Sequence, residues 1–189
     1  MKNLIIISAP SGAGKTTLCK KLQRIFIEIK WSVSYTTRSK RDNEVDGEDY
    51  NFISKRSFNK LIKNKSFAEW ENVHGNLYGT KKKILDKMIN ENKILLLDLD
   101  VKGALNVKNL YPENSFLIFI VPPSFSDLKK RLKKRNTESD IKINLRLKRF
   151  KEELKYKSKF DYILINNELS IAFEELAKIV KKIKQKEKK

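Results

Sequence analysis

The chain has 189 residues, of which 40% are hydrophobic and 34% charged, and a formal net charge of +19. These values fit one globular domain, or one core with insertions, large enough to bury a hydrophobic centre. No stretch approaches the roughly 20 apolar residues that span a bilayer, and the single cysteine, Cys19, excludes an internal disulfide and suits a reducing, cytoplasmic setting.

The N-terminus, MKNLIIISAPSG, has the basic start and apolar run of a signal peptide. That run covers only Leu4–Ile7 and leads straight into a glycine loop, so it reads as a buried strand. The loop, SAPSGAGKTTL from Ser8 to Leu18, is followed by a helix from about Thr16 to Ile29, with Leu18, Leu22, Ile25, Phe26 and Ile29 near a 3.6-residue period. From Trp31 to Tyr78 the βα rhythm is lost. SVSYTT, DYNFIS and FAEWENV are strand-like around a short helix at Ser57–Asn64, which predicts a small α+β lobe with Trp70 in its core.

The alternation then resumes. Thr80–Asn92 reads as helix, Lys93–Asp100 as an apolar strand ending in acids, 101–109 as helix and Ser115–Val121 as another buried strand. Pro122 and Pro123 break the chain before a helix at Ser126–Arg135. A polar stretch, Asn136–Ile141, precedes a helix at Ile143–Lys155, a strand at Tyr162–Ile165 and a closing helix at Leu169–Ile183. Apolar strands alternating with helices predict an α/β fold, a parallel sheet covered on both faces. The basic tail reads as a solvated charge run.

The loop is one residue from the phosphate-cradling pattern G-x-x-x-x-G-K-[ST], with Ala9 at the first position. Strand, glycine loop and helix give that pattern its required context. Gly12 and Gly14 let backbone N–H groups turn inward around phosphate oxygens, Lys15 is placed for the β- and γ-phosphates, and the Thr16 hydroxyl for Mg²⁺. Asp98 and Asp100 end the third apolar run on the same edge of the sheet. Two apart on a strand, they point to one face, and Asp98 is the candidate Walker-B acid; the alternative is that the pair caps the next helix. Eight of the 42 basic residues are arginine, and most fall near 38–41 and 131–149. Arginine is the planar, bidentate phosphate ligand, so the clusters suggest two phosphate-handling regions, whereas scattered lysine reads as a solvated face.

SAPSGAGKTTL, SVSYTTRSKR, GEDYNF, EW…GNLYGT, LLLDLDVKGA and DLKKRLKKR…NLRL occur in the order and spacing of the guanylate kinases, and the chain resembles that family from Leu4 to about Ile183. The resemblance implies a P-loop nucleoside monophosphate kinase fold that transfers the γ-phosphate of ATP to GMP with Mg²⁺. It implies a core at 1–32, 80–125 and 151–189, a GMP-binding lobe at 33–79 and a lid at 126–150. Arg38, Arg41, Tyr50 and Tyr78 match the positions that hold the GMP phosphate, and Ser34, Glu69, Thr80 and Asp100 those around the guanine. The ATP side would comprise Ala9, Pro10, Ser11, Gly12, Ala13, Gly14, Lys15, Thr16, Thr17, Arg131 and Asn166. Thr16 and Asp98 match the metal residues, and Lys15, Arg38, Arg131, Arg135 and Arg146 match the groups that stabilise the transferring phosphoryl.

Some residues depart from the family pattern. Lys40 stands where proline is usual, Asp42-Asn43 where a glycine turn is, Lys134 and Asn136 where lid glycines are, and Asn166-Asn167 where an Asn-Asp pair is. His74, the only histidine, matches no functional position. The rival readings are a guanylate-kinase-like interaction module that binds phosphopeptides, a nucleic-acid-binding protein, and a kinase for another small phosphate such as AMP. The ATP loop, the lack of nucleic-acid motifs and the guanine residues count against them in turn. No specific nucleic acid or membrane partner is expected, and the protein is expected to be a monomer or homodimer.

Overall fold

The fold is built outward from strand β1 (Leu4–Ser8), all of it buried, in a computed structural model that describes residues 2–10, 12–73, 75–134 and 140–186. Parallel strands β7 (Leu95–Asp98) and β8 (Ser115–Val121) flank it, with β2 (Lys30–Trp31) and β9 (Tyr162–Ile165) at the edges, giving the order β2-β7-β1-β8-β9. Alternate side chains of β1 face opposite ways. Ile5 and Ile7 pack with Leu18 and Leu22 of α1 (Lys15–Ile25) and Leu176 and Val180 of α7 (Leu169–Lys186). Leu4 and Ile6 pack on the other side with Leu85 and Met88 of α3 (Lys82–Asn90) and Val107 of α4 (Val101–Leu110). This is the expected parallel sheet covered on both faces. Among the described residues no helix is long and apolar enough to cross a membrane.

Between β2 and α3 the chain builds a second sheet, β4-β3-β6-β5, from β3 (Tyr35–Thr36), β4 (Asn51–Phe52), β5 (Phe67–Val73) and β6 (Asn76–Lys81). Helix α2 (Lys55–Lys63), capped by the Ser54 hydroxyl, drives Phe58 under this sheet, where it stacks on Phe67 at 4.5 Å. Trp70 does not join that core; it is 43% exposed on the outer side of β5. After β8, helices α5 (Phe125–Lys134) and α6 (Asp140–Leu154) hold each other through a separate cluster of Leu128, Leu132, Ile143, Leu147 and Phe150.

Several boundaries differ from the expectation. The helix after the loop stops at Ile25, and the Phe26 N–H turns back onto the Leu22 carbonyl. Of the stretch SVSYTT only Tyr35–Thr36 is strand, and it joins the lobe, while Lys30–Trp31 just before it joins the core sheet. Thr80 and Lys81 are strand rather than helix, because they continue β6 opposite Glu69 and Phe67 of β5. The expected polar stretch Asn136–Ile141 lies largely outside the described residues, and α6 starts at Asp140.

Candidate active site

The parallel register sets Ile7 beside Asp98, so the turn after β1 and the acid ending β7 reach the same edge of the sheet. The turn closes with the Ala13 N–H on the Pro10 carbonyl. Gly12 and Gly14 lie at φ +91° and +94°, where a side chain is strained. Gly14 is also pressed by Asn166, whose side-chain amide donates to the Ala13 carbonyl at 2.7 Å and stands 2.3 Å from where a Cβ would sit. Helix α1 has no side-chain cap and no acid in its first turn, which leaves its leading N–H groups for an anion. Ala9 is buried in the cluster beneath the loop, so its methyl packs away from the site.

Lys15 bridges the loop and β7. Its ammonium lies 2.5 Å from Asp98 Oδ1 and 2.9 Å from the Leu99 carbonyl. Burial works to lower its pKa, but the Asp98 carboxylate outweighs that and leaves it raised. Thr16 and Thr17 are exposed on the first turn of α1. Asp100 is not on the strand with Asp98. It caps α4, accepting from the Gly103 N–H at 2.8 Å, so the capping alternative holds for one acid of the two.

A cleft of about 640 Å³ opens from Thr16 and Asp98 toward Arg38, Arg41, Tyr50 and Tyr78 of the lobe. It adjoins a cavity of about 240 Å³ lined by Lys15, Glu69, Glu71 and Asp100, with Ser34, Tyr50, Tyr78 and Asp98 common to both. Of the residues expected around a phosphate, Arg38 and Arg41 line only the first space, and of those expected around a base, Glu69 and Asp100 line only the second, while Tyr50, Tyr78 and Ser34 line both. Thr80, 1% exposed, lines neither space; its hydroxyl lies 3.5 Å from that of Ser34, which lines both. A bulge between Phe67 and Glu69 interrupts the β5–β6 ladder beside Glu69. Gly103 of α4 lets Glu69 approach, since a Cβ there would stand 2.7 Å from Oε2. Burial pushes the Glu69 carboxyl up to about 7; Asp100 and Glu71 add to the effect and Thr80 hydrogen bonds oppose it.

On α5, Arg131 Nη2 donates to the carbonyls of Asn166 and Asn167, at 2.8 and 3.1 Å. Asn166 is 4% exposed, and its side-chain amide braces the phosphate loop rather than facing outward. Arg146 lies on α6. Arg135 and Ser11, and also His74 and Asn136, lie outside the described residues. Two residues join the site without having been singled out. Arg149, one turn on from Arg146, sets Nη2 3.5 Å from Asp100 Oδ2 and Nε 2.7 Å from Glu153. Glu44 takes the Arg38 guanidinium. The arginine cluster at 131–149 was a signal for the first; no local pattern marks the second.

Among the described residues no three His, Cys, Asp or Glu side chains gather to hold a metal. The hard oxygen donors Thr16 and Asp98 at the mouth of the loop instead fit an ion brought in with nucleotide phosphates, as magnesium usually is.

The family model for guanylate kinase matches residues 1–183. The chain is 44% identical to the guanylate kinase of Thermotoga maritima over 94% of this chain and 86% of that protein. It is 45% identical to the guanylate kinase of Prochlorococcus marinus over 94% and 96% respectively. The solved guanylate kinase of Anaplasma phagocytophilum superposes with a TM-score of 0.77 at 29% identity, over 94% of this chain and 84% of that one. A shikimate kinase from Bacteroides thetaiotaomicron, 13% identical, shares the fold with a TM-score of 0.51, over 94% and 98%. A match spanning nearly the whole chain, on a fold that sets a phosphate loop against an arginine–tyrosine cleft, makes this chain a member of the guanylate kinase family of nucleoside monophosphate kinases.

Proposed function

We infer that the protein transfers the γ-phosphate of ATP to GMP, giving ADP and GDP. The observation that carries this reading is the base cavity: a buried carboxylate, Glu69, faces it between strand and helix beside Ser34 and Asp100. It adjoins an arginine–tyrosine cleft that opens onto the phosphate loop. A phosphate oxygen of GMP attacks the γ-phosphorus, and the bond from that phosphorus to the β-phosphate oxygen breaks. With a second phosphate pKa near ~6, the acceptor is already largely ionised and no carboxylate base is needed. The barrier is repulsion between two polyanions, which Lys15, Arg38, Arg41, Arg131, Arg135 and Arg146 would offset as charge develops. Lys15 leaves Asp98 for the β- and γ-phosphates in this scheme. The loop from Ala9 to Thr17 would wrap the same phosphates, with Gly12, Gly14 and their neighbours donating backbone N–H groups, and Arg131 and Asn166 would complete the ATP side. Magnesium carried in by ATP would be held by Thr16 and Asp98 and would neutralise phosphate charge. The GMP phosphate falls to Arg38, Arg41, Tyr50 and Tyr78, and the guanine to Ser34, Glu69, Thr80 and Asp100. We assign the activity to purine nucleotide metabolism in the cytoplasm, carried out by a monomer or homodimer.

A nucleotide panel tests the reading: ATP with GMP, dGMP, AMP, CMP and UMP in a coupled assay. GMP is expected to be the best ribonucleotide acceptor. An interaction module would turn over none of them, and a kinase for another phosphate would prefer AMP or a pyrimidine.

Segments 33–79 and 126–150 are proposed as a lobe and lid that close on the core, expelling water from the transferring phosphoryl group. The separate sheet of the first and the separate apolar cluster of the second support this. A bisubstrate analogue is expected to reduce the radius of gyration in small-angle scattering. An unchanged radius would mean that the free protein is already closed.

A further inference from the structure

An arginine carries five N–H donors and two flat edges that can each grip an oxyanion. In Arg38 the Nη1–Nη2 end is taken by Glu44, at 2.9 Å to Oε2 and 2.7 Å to Oε1, and Nη1 also donates to the Ser39 carbonyl at 2.7 Å. The other edge, Nε and the second Nη2 hydrogen, stands beside the Tyr78 hydroxyl, which accepts from Nε at 3.3 Å. Tyr50 and Phe52 rings lie 5.4 and 5.6 Å from the guanidinium carbon and limit its rotation. Glu44 Oε2 accepts as well from the Arg41 backbone N–H at 2.9 Å, so one carboxylate ties together both arginines of the cluster. The pair is well shielded, with side-chain exposures of 16% and 13%.

We propose that Glu44 is a positioning residue for the monophosphate site. It clamps one edge of Arg38 so that the other is presented to the acceptor phosphate, and it fixes the turn that sets Arg41 at the rim. The inference rests on the reading of this cleft as the GMP-phosphate site. It makes a prediction opposite in sign to charge alone. Glu44 places a negative charge beside a site for a dianion. If its effect were only electrostatic, or if it merely occupied Arg38 until GMP displaced it, removing it would tighten GMP.

The test is Glu44→Gln, which keeps the shape, with Glu44→Ala beside it. In Glu44→Gln the KM for GMP is expected to rise about tenfold, the size of one charge-assisted hydrogen bond, while the KM for ATP stays within about twofold. In an Arg38→Ala background the same substitution should add little, because the partner it positions is gone. A lower KM for GMP would overturn the proposal. So would an equal rise in both KM values with a drop in Tm, which marks a structural role, or full additivity in the Arg38→Ala background. If Glu44→Ala does not fold, Glu44→Gln still decides the matter. Wild-type protein inert toward GMP would instead sink the reading of the cleft.

Discussion

Lys15→Ala is expected to lower kcat by about two orders of magnitude or more, because a positioned cation lost from a developing phosphate charge costs roughly 3 kcal/mol. The loss should fall on kcat more than on the KM for GMP, which is held by other residues. The free protein adds a second consequence. Lys15 neutralises Asp98 across 2.5 Å, so the substitution leaves a half-buried carboxylate without its partner at the mouth of the loop. Lys15→Arg keeps the charge but brings a bulkier, planar group into a turn sized for an ammonium, and it is expected to rescue little. Ala9→Gly, under the loop rather than in it, should change turnover little. Steady-state kinetics of the three variants check the assignment. Near-wild-type turnover in Lys15→Ala would remove the loop from the mechanism.

The second large effect concerns the base. Guanine presents N1–H and a 2-amino group side by side, two donors matched to the two oxygens of one carboxylate. Adenine offers a bare N1 and no amino group there, so AMP would set a desolvated carboxylate against a lone pair. A site built on buried polar partners rejects such an analogue by about 10⁴-fold. GMP is expected to exceed AMP by that order in kcat/KM. Glu69→Gln should collapse the preference mainly by losing GMP, since an amide supplies one acceptor and adds a donor facing donors. The pH dependence follows from the carboxyl raised to about 7 by burial. Guanine needs the ionised form, so GMP binding takes up carboxylate and releases a proton. The KM for GMP should therefore climb as the pH falls below 7, while that for ATP does not follow it. Calorimetry at pH 7 in two buffers of different ionisation enthalpy should find a net release of protons on GMP binding that is lost in Glu69→Gln. No proton release, or GMP turnover intact in Glu69→Gln, would take guanine reading away from Glu69.

The phosphate loop and the parallel sheet were legible because their signals are local: a run of β-branched residues, two glycines, a lysine and a threonine in fixed order. What could not be read depends on partners distant in sequence. Thr80 and Lys81 look helical by neighbourhood, yet they pair with Glu69 and Phe67 of β5, and the preceding Tyr78 and Gly79 pair with β3 more than forty residues back. Asp100 repeats the strand alternation of Asp98, but the Leu99 N–H makes the last bond to Ile7 and the next turn is already helix. Trp70 follows Glu69 on a strand whose inner side is taken by that carboxylate, which sends the indole outward. The Glu44–Arg38 fork and the Arg149–Asp100 contact join side chains across loops, and no spacing rule announces either.

The lobe is spliced into the core between β2 and α3, and the chain crosses that splice near Ser34 and Thr80, whose hydroxyls lie 3.5 Å apart. In the closure proposed above these two residues would sit near the fulcrum of the lobe, and Arg38 and Arg41, beyond β3, would sweep a longer arc. Base selection in such a lever would be made where the structure moves least, before the swing delivers the acceptor phosphate. A wrong base would then be turned away without the cost of a full stroke.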